Sequence, residues 1–293
     1  MRVSTNYQYN AFQFNLQNAD ARLVAISQQL STGKRINEPS DDPVGVGQSL
    51  TLRGLQAGIK QYMANLTAAK GSLGYIDNTA GSMSDLMSRA YQLAVQGASS
   101  SEDQTARNGM ASQIATLQSQ LVNLGNAQGS DGSYIFAGQK TTTKPYTLSG
   151  GTLVFNGDIN PINVEIGPGQ TMLANAPGEP MITTMYNTLE TLKNDLIGGQ
   201  VGTISGVDIP NLQASLHTIS TLRGDVGARM QTVQTMSTQY QLHVDNLTKN
   251  ISDLEDVDMA SAAVQYQQAS QAYTAALSVV GRASQLSLLD FIR

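Results

Sequence analysis

Cysteine is absent from the 293 residues, which excludes a disulfide framework, a thiolate metal site and a thiol nucleophile, and leaves the redox compartment unreadable. Tryptophan is absent too, and aromatic residues make up only 5% of the chain. With Gln, Asn, Ser, Thr and small residues crowding the apolar-periodic stretches, slender helix bundles suit this composition better than one thick core. Cations are scarce: 17 Lys plus Arg against 22 Asp plus Glu leave a formal net charge of -5. That is no field for tracking a phosphate backbone, so nucleic acid is not an expected partner. No apolar run reaches the roughly 18 residues of a membrane span. The most apolar one, Ala275 to Val280, stops at Gly281 and Arg282. The polar start, Met1 to Asn10, has no apolar core behind a basic head, so a cleavable secretory signal is not expected.

Catalytic constellations are missing as well. The two histidines, His217 and His243, are too far apart in sequence for an HExxH zinc motif or a facing pair at i, i+4. No P-loop, GxSxG elbow or dinucleotide fingerprint occurs, and Gly167-Pro-Gly169 reads as a turn. Asp41-Asp42, ahead of Pro43, sits where an acidic helix cap belongs. The acidic run Asp253, Glu255, Asp256 and Asp258 lacks the glycine and spacing of a calcium loop. It reads as a solvated junction that Lys34 and Arg35 can pair with. No catalytic residue, cofactor or metal ligand is expected, and the chain is not read as an enzyme.

What the sequence does have is periodicity. Leu52, Leu55, Ile59, Tyr62, Leu66, Ala69, Leu73, Ile76, Ala80, Met83, Met87, Ala90 and Ala94 step by three or four residues throughout, which predicts one long helix. Its glycines fall off that seam and each weakens the isolated helix by about 1 kcal/mol, so packing must hold it. A second seam runs through Leu212, Leu216, Ile219, Arg223, Val226, Met230, Val233, Ser237, Tyr240, Val244, Leu247, Ile251 and Leu254, and can serve as its partner. A third, Met110, Ile114, Leu117, Leu121 and Leu124, follows a polar break at Ser99 to Asp103, the pattern of an antiparallel helix pair.

Each end carries a short seam of its own, out of phase with its long neighbour: Tyr9, Phe12, Leu16, Ala19, Leu23, Ile26 and Leu30 at the front, and Met259, Ala263, Tyr266, Ser270, Tyr273, Leu277 and Val280 at the back. Gly33, Pro39 and Pro43 break the chain on one side, and a slip of register in the acidic run breaks it on the other. The middle changes character. Tyr134–Phe136, Tyr146–Leu148, Thr152–Phe155 and Ile162–Ile166 are β-type runs, with Gly150-Gly151 and Asn156-Gly157 as turn signals. The expected fold is therefore mainly α: a long antiparallel helical bundle with paired N- and C-terminal coiled-coil helices and a small β-rich outer domain inserted in the middle. The expected segments are 1–43 and 257–293 for the terminal coiled coil, 44–133 and 181–256 for the two halves of the bundle, and 134–180 for the β-rich insertion.

Two motifs at opposite ends carry a family resemblance. Gln29-Leu-Ser-Thr-Gly-Lys-Arg-Ile-Asn37 with Asp41-Asp-Pro-Val-Gly45, and Leu254-Glu-Asp-Val-Asp258 with Leu286-Ser-Leu-Leu289, resemble the N- and C-terminal signatures of the flagellin-like axial proteins of the bacterial flagellum. Met1–Thr5, Glu38-Pro-Ser-Asp-Asp-Pro43 and Gly132-Ser-Tyr-Ile-Phe-Ala-Gly138 are more similar to the hook-associated junction branch of that family than to filament subunits. The resemblance covers roughly the first 140 residues and the last 80.

The resemblance implies an extracellular, tubular, helically repeating assembly lined by the paired ends, with self-contacts, another hook-associated protein on the hook side and flagellin on the filament side. It also implies export through the flagellar type III pathway under a cytoplasmic chaperone. The expected assembly interface is Tyr9, Phe12, Leu16, Leu23, Ile26, Leu30, Met259, Tyr266, Tyr273, Leu277, Val280, Leu288 and Leu289, with Met259, Tyr266, Tyr273 and Leu277 as the chaperone's candidates. End helices of about three heptads are near the length at which isolated helices melt, so order on assembly is expected. Two other readings remain: a small filament flagellin, and an adhesin using Tyr146, Phe155 and the Asn156-Gly-Asp turn.

Overall fold

The computed structural model describes the backbone of residues 2–291, and the side chains of Tyr7 and of residues 10–282. Tyr9, Leu288 and Leu289 thus lie outside the described side chains. The fold is mainly α: helices α1 (Arg2–Thr32), α2 (Pro43–Gly97), α3 (Gln104–Gly125), α4 (Met181–Ile197), the single turn α5 (Val201–Thr203), α6 (Ile209–Glu255) and α7 (Met259–Phe291). The chain divides into two compact units, residues 1–58 with 242–293, and residues 59–241.

In the second unit four helices close over one core. Leu66, Leu73, Ile76, Met83 and Met87 of α2 are buried together with Met110, Ile114 and Leu121 of α3, Ile182, Leu189 and Leu192 of α4, and Leu212, Ile219, Val226 and Val233 of α6. The core exists because those positions recur every three or four residues, so one stripe of each helix faces inward. α2 and α6 are antiparallel. Lys70 donates to Gln234 at 3.0 Å, Arg223 pairs with Asp77 at 2.9 Å, and Gln213 donates to Tyr91 at 3.3 Å, one position descending as the other rises. Arg223, polar within an apolar seam, is placed by that ion pair.

The fourth helix has no counterpart in the sequence reading. α4 runs antiparallel to α3, with Gln104 donating to the carbonyls of Leu196 and Ile197 and Gln118 donating to Glu190. α3 starts at Asp103, whose carboxylate accepts the Ala106 N–H at 2.6 Å. The predicted α2 seam holds from Leu66 onward, but Leu55 is exposed.

The middle forms two antiparallel hairpins, each its own two-stranded sheet. In one, β1 (Tyr146–Ser149) pairs with β2 (Thr152–Phe155) around Gly150 and Gly151, both at positive φ. In the other, β3 (Asn163–Gly167) pairs with β4 (Gln170–Leu173) around Pro168-Gly169. Tyr134–Phe136 is not a strand: it lies in turns, with a single bridge from Tyr134 to Gln128, because Phe136 is drawn into the core. Nor does Asn156-Gly157 make a hairpin turn. Asn156 N–H closes onto the Pro145 carbonyl at the open end of the first hairpin. The insertion shares the bundle's core rather than closing over one of its own, with Tyr146 buried and its ring 5.2 Å from that of Phe155. That burial removes Tyr146 from any glycan-binding face. The second hairpin is fastened to the helices by Tyr240 Oη, which donates to the Ile166 carbonyl at 2.6 Å, and by Asn65, which donates to that of Glu165 at 2.8 Å.

Candidate assembly interface

The first unit is assembled around the two chain reversals. α1 ends at Gly33, whose φ of 70 turns the chain sharply and whose N–H bonds the Gln29 carbonyl. The Gly33 carbonyl then accepts the Val257 N–H at 3.0 Å, and Arg35 N–H donates to the Glu255 carbonyl at 2.6 Å. The chain's two junctions thereby lie side by side as a short antiparallel bridge between Lys34 and Asp256. Asp41 accepts N–H bonds from Asn37 and Glu38, Asp42 caps α2 through the Gly45 N–H at 2.9 Å, and Asp258 caps α7 through the Ala260 N–H at 3.0 Å. The cap reading of Asp41-Asp42 therefore holds, one residue shaping the turn and the other starting the helix.

At the centre of this knot stands Glu255. Arg53 grips its carboxylate with both Nε (3.1 Å) and Nη2 (2.6 Å), Ser49 Oγ donates to it, and Lys34 Nζ lies 3.4 Å away while also meeting Asp256 at 2.5 Å. The Arg53 bonds first, with those of Ser49 and Lys34, hold the Glu255 carboxyl down at a pKa of about 2 against the opposing effect of burial. Lys34 takes the pairing expected of it. Arg35 instead pairs with Asp42 at 3.3 Å and donates to the Leu254 carbonyl at 2.6 Å. Sequence reasoning missed Arg53 and Ser49. Their spacing of four residues puts both on one face of α2, a signal that becomes readable only once Glu255 is known to reach that face.

α1 and α7 lie antiparallel beyond the knot. On α1 the seam is as periodic as expected: Phe12, Leu16, Ala19, Leu23, Ile26 and Leu30 are all half-buried, and the residues flanking each are exposed except Gln29. On α7 the stripe differs. Ala262 is buried, and Ala269, Ala276 and three members of the expected seam, Ser270, Tyr273 and Val280, are half-buried, whereas Met259, Ala263, Tyr266 and Leu277 are exposed. The expected back seam followed the larger residues. The packed stripe follows alanines, which let the two backbones approach until Cα atoms lie within 8 Å.

The larger apolar groups are left facing outward: Phe14 is 63% exposed, Val24 57%, Met259 51% and Leu277 45%, with Val264, Tyr266 and Val279 also exposed. An open groove between the helices is lined by Leu23, Val24, Ser27, Gln28 and Tyr266. Phe12, Leu16, Leu23, Ile26, Leu30, Tyr273 and Val280 are thus half-buried along the α1–α7 seam. Met259, Tyr266 and Leu277 stand outside it, beside Phe14, Val24, Val264 and Val279, which the sequence reading passed over.

Comparison with known proteins places these ends. Residues 3–141 match the bacterial flagellin N-terminal helical region and residues 209–292 match the bacterial flagellin C-terminal helical region, which together span most of the chain. The chain belongs to the bacterial flagellin family. Among curated relatives, flagellar hook-associated protein 3 of Escherichia coli is 26% identical over 284 residues, covering 88% of this chain and 89% of that protein. Flagellin FlaB1 of Treponema pallidum is 24% identical over 273 residues, covering 91% of each. The fold is shared with flagellar hook-associated protein 3 from Legionella pneumophila (TM-score 0.65, 14% identity, 70% of this chain and 98% of that one). It is shared also with FlgL from Bacillus cereus (TM-score 0.61, 22% identity, 69% and 99%). The family is structural, a constituent of the bacterial flagellum.

Proposed function

We propose that this chain is a structural adapter of the flagellum, joining the hook, through another hook-associated protein, to the flagellin filament by helical assembly of its paired terminal helices. The observation that carries the proposal is the first unit, where both family-matched ends meet in one knot and α1 and α7 leave Phe14, Val24, Met259, Val264 and Leu277 uncovered. Apolar residues of this size spaced along a two-helix unit gain burial when identical units stack, and a heterologous contact repeated with a fixed rotation builds a tube. The interface is the set Tyr9, Phe12, Leu16, Leu23, Ile26, Leu30, Met259, Tyr266, Tyr273, Leu277, Val280, Leu288 and Leu289. Its seam members set the pairing within a subunit, and its exposed members meet neighbours.

Similarity to hook-associated protein 3 over nearly the whole chain favours the junction over the filament. The match to FlaB1 supports a second reading, a small filament subunit. Deleting the gene in its motile source separates them. Hooks without filaments and soluble flagellin in the medium are expected, whereas hooks bearing normal filaments leave the filament-subunit reading. Export is assigned to the flagellar type III pathway, with a cytoplasmic chaperone covering Met259, Tyr266, Tyr273 and Leu277. A chain ending at Asp253 should then lose the chaperone in a pull-down, and unchanged binding rejects that site. In the isolated subunit, protease should trim α1 and α7 before the bundle, and ends as resistant as the bundle reject order on assembly.

A further inference from the structure

The apolar stripe of α6 continues backward beyond its start. Ile204, Asp208, Leu212, Ser215 and Ile219 are all buried, so a carboxylate occupies a position where the pattern asks for a leucine. Asp208 has no exposed surface at all, and no N–H or O–H among the described residues reaches either of its oxygens or Oδ2 of Asp195 on α4. An ionised carboxylate in that state is expensive. It ends a π-helical turn, Ile204–Asp208, that leads from α5 into α6. The wide turn supplies the geometry that carries Asp208 inward.

Among the described residues, the surroundings offer no free cation. The facing group on α4 is Asp195; the other charges near that end of the helix, Glu190 and Lys193, are bonded to each other at 2.7 Å. Residues 201–207 carry no charge, Arg107 of α3 is committed to the carbonyls of Gly97 and Ser99, and His217 of α6 is exposed. The two carboxyls cannot both ionise there. We propose that Asp208 keeps its proton and donates it to the Asp195 carboxylate, and that this shared proton latches the connection between α4 and α6.

The backbone makes the latch local. Asp195 also accepts the Gln200 N–H through its own carbonyl at 2.9 Å, beside the Gly198-Gly199 reversal where Gly199 has a φ of 63. When the proton passes to solvent, the buried Asp208 carboxylate faces that of half-buried Asp195 across this turn, and the cheapest relief is to open residues 198–208 to water. Burial first, then the Asp195 charge, pushes the Asp208 carboxyl up to about 7. The folded chain therefore binds this proton more tightly than the unfolded one, whose carboxyl titrates near 3.9. The stabilisation is complete below that value and is lost as pH rises through about 7.

The test uses the full chain and Asp208→Asn, whose amide donates to Asp195 at every pH. Native protein at about pH 6 should show an infrared carboxylic-acid band that Asp208→Asn lacks. Between about pH 4.5 and 8.5 the bundle's unfolding midpoint should fall in native protein and stay level in the variant. Amide exchange of residues 199–208, corrected for its intrinsic pH dependence, should accelerate in native protein alone. Asp195→Asn should reduce the slope without abolishing it, because burial alone still raises the Asp208 carboxyl, and this second variant guards against a folding defect particular to one substitution. Equal slopes in native and variant proteins, or no acid band, overturn the proposal. So does loss of stability on chelation in native protein only, which would mean that a divalent cation holds the pair.

Discussion

Leu66, Leu73, Ile76, Met83 and Met87 of α2 are closed off from solvent, whereas Leu52 and Leu55, earlier on the same helix and equally in phase with the same seam, are half-buried and exposed. The difference is the number of helices available to cover them. In the second unit three others close around α2; in the first, the described apolar residues that reach full burial are Ile251 and Ala262. A periodic stripe states which face of a helix wants burial and says nothing about whether the same chain supplies the cover. The second unit supplies its own, held by dispersion and apolar transfer. The first is tied by a charge knot and leaves Phe14, Val24, Met259, Val264 and Leu277 exposed.

The sharpest way to break this contrast is to truncate equivalent positions. Met83→Ala should cost about 2–5 kcal/mol by denaturant unfolding, because the four-helix core cannot collapse onto the lost volume. Leu23→Ala on the half-buried seam should cost about 1 kcal/mol in the isolated subunit. Equal costs would mean that the first unit has a self-sufficient core.

Next in size is the knot. Glu255→Ala leaves Arg53, Lys34 and Ser49 without their common acceptor and should cost the first unit about 1–2 kcal/mol. The value is modest because Arg53 and Lys34 are each close to half exposed. The effect should appear as faster amide exchange at residues 33–36 and 255–258, with the bundle unchanged. Its pH dependence runs opposite to that of the α4–α6 connection. A carboxyl depressed to about 2 adds stability that is complete above its ordinary value and is lost as pH falls through about 2. Acid should therefore loosen the first unit while mildly alkaline solution loosens the turn at 198–208. A single profile for both regions would contradict the division. Smaller still is Asp103→Ala, which removes the α3 cap and should cost about 1 kcal/mol, read as a lowered thermal midpoint.

Most of the fold was legible because its long helices bury one stripe each, and a stripe is written in the order of residues. The front seam from Phe12 to Leu30 and the bundle seams of α2, α3 and α6 are such cases. α4 was missed although its stripe is as regular as the others: Ile182, Met185, Leu189, Leu192 and Leu196 step by three or four residues and are all buried, but the stripe is short and follows directly on the Pro- and Gly-containing loop before Met181. The back seam was misplaced because hydrophobicity ranks Met259 and Leu277 above Ala262, Ala269 and Ala276, while close helix approach ranks them the other way. Glu255 was visible as part of an acidic run, but its partners Ser49 and Arg53 lie some two hundred residues away and are joined to it only by folding. Asp208 breaks the apolar stripe it belongs to, so periodicity ended the stripe at Leu212. Extending the four-residue step backward to Ile204 would have exposed the anomaly.

The smallest effect on stability separates the two units most cleanly. Phe14 and Leu277 are exposed in the isolated chain, so Phe14→Ser with Leu277→Ser should change its unfolding free energy by less than about 0.5 kcal/mol. The same pair of changes removes apolar surface that a stacked neighbour would bury, and the loss recurs at every copy in a helical layer. Motility and junction assembly should therefore fail in cells that make and export the variant at normal levels. An equally mild change on the bundle, such as Gln92→Ser, should leave both intact. If the double variant assembles normally, the outward residues of α1 and α7 are not what neighbouring subunits meet, and the half-buried seam would have to open to supply the contact.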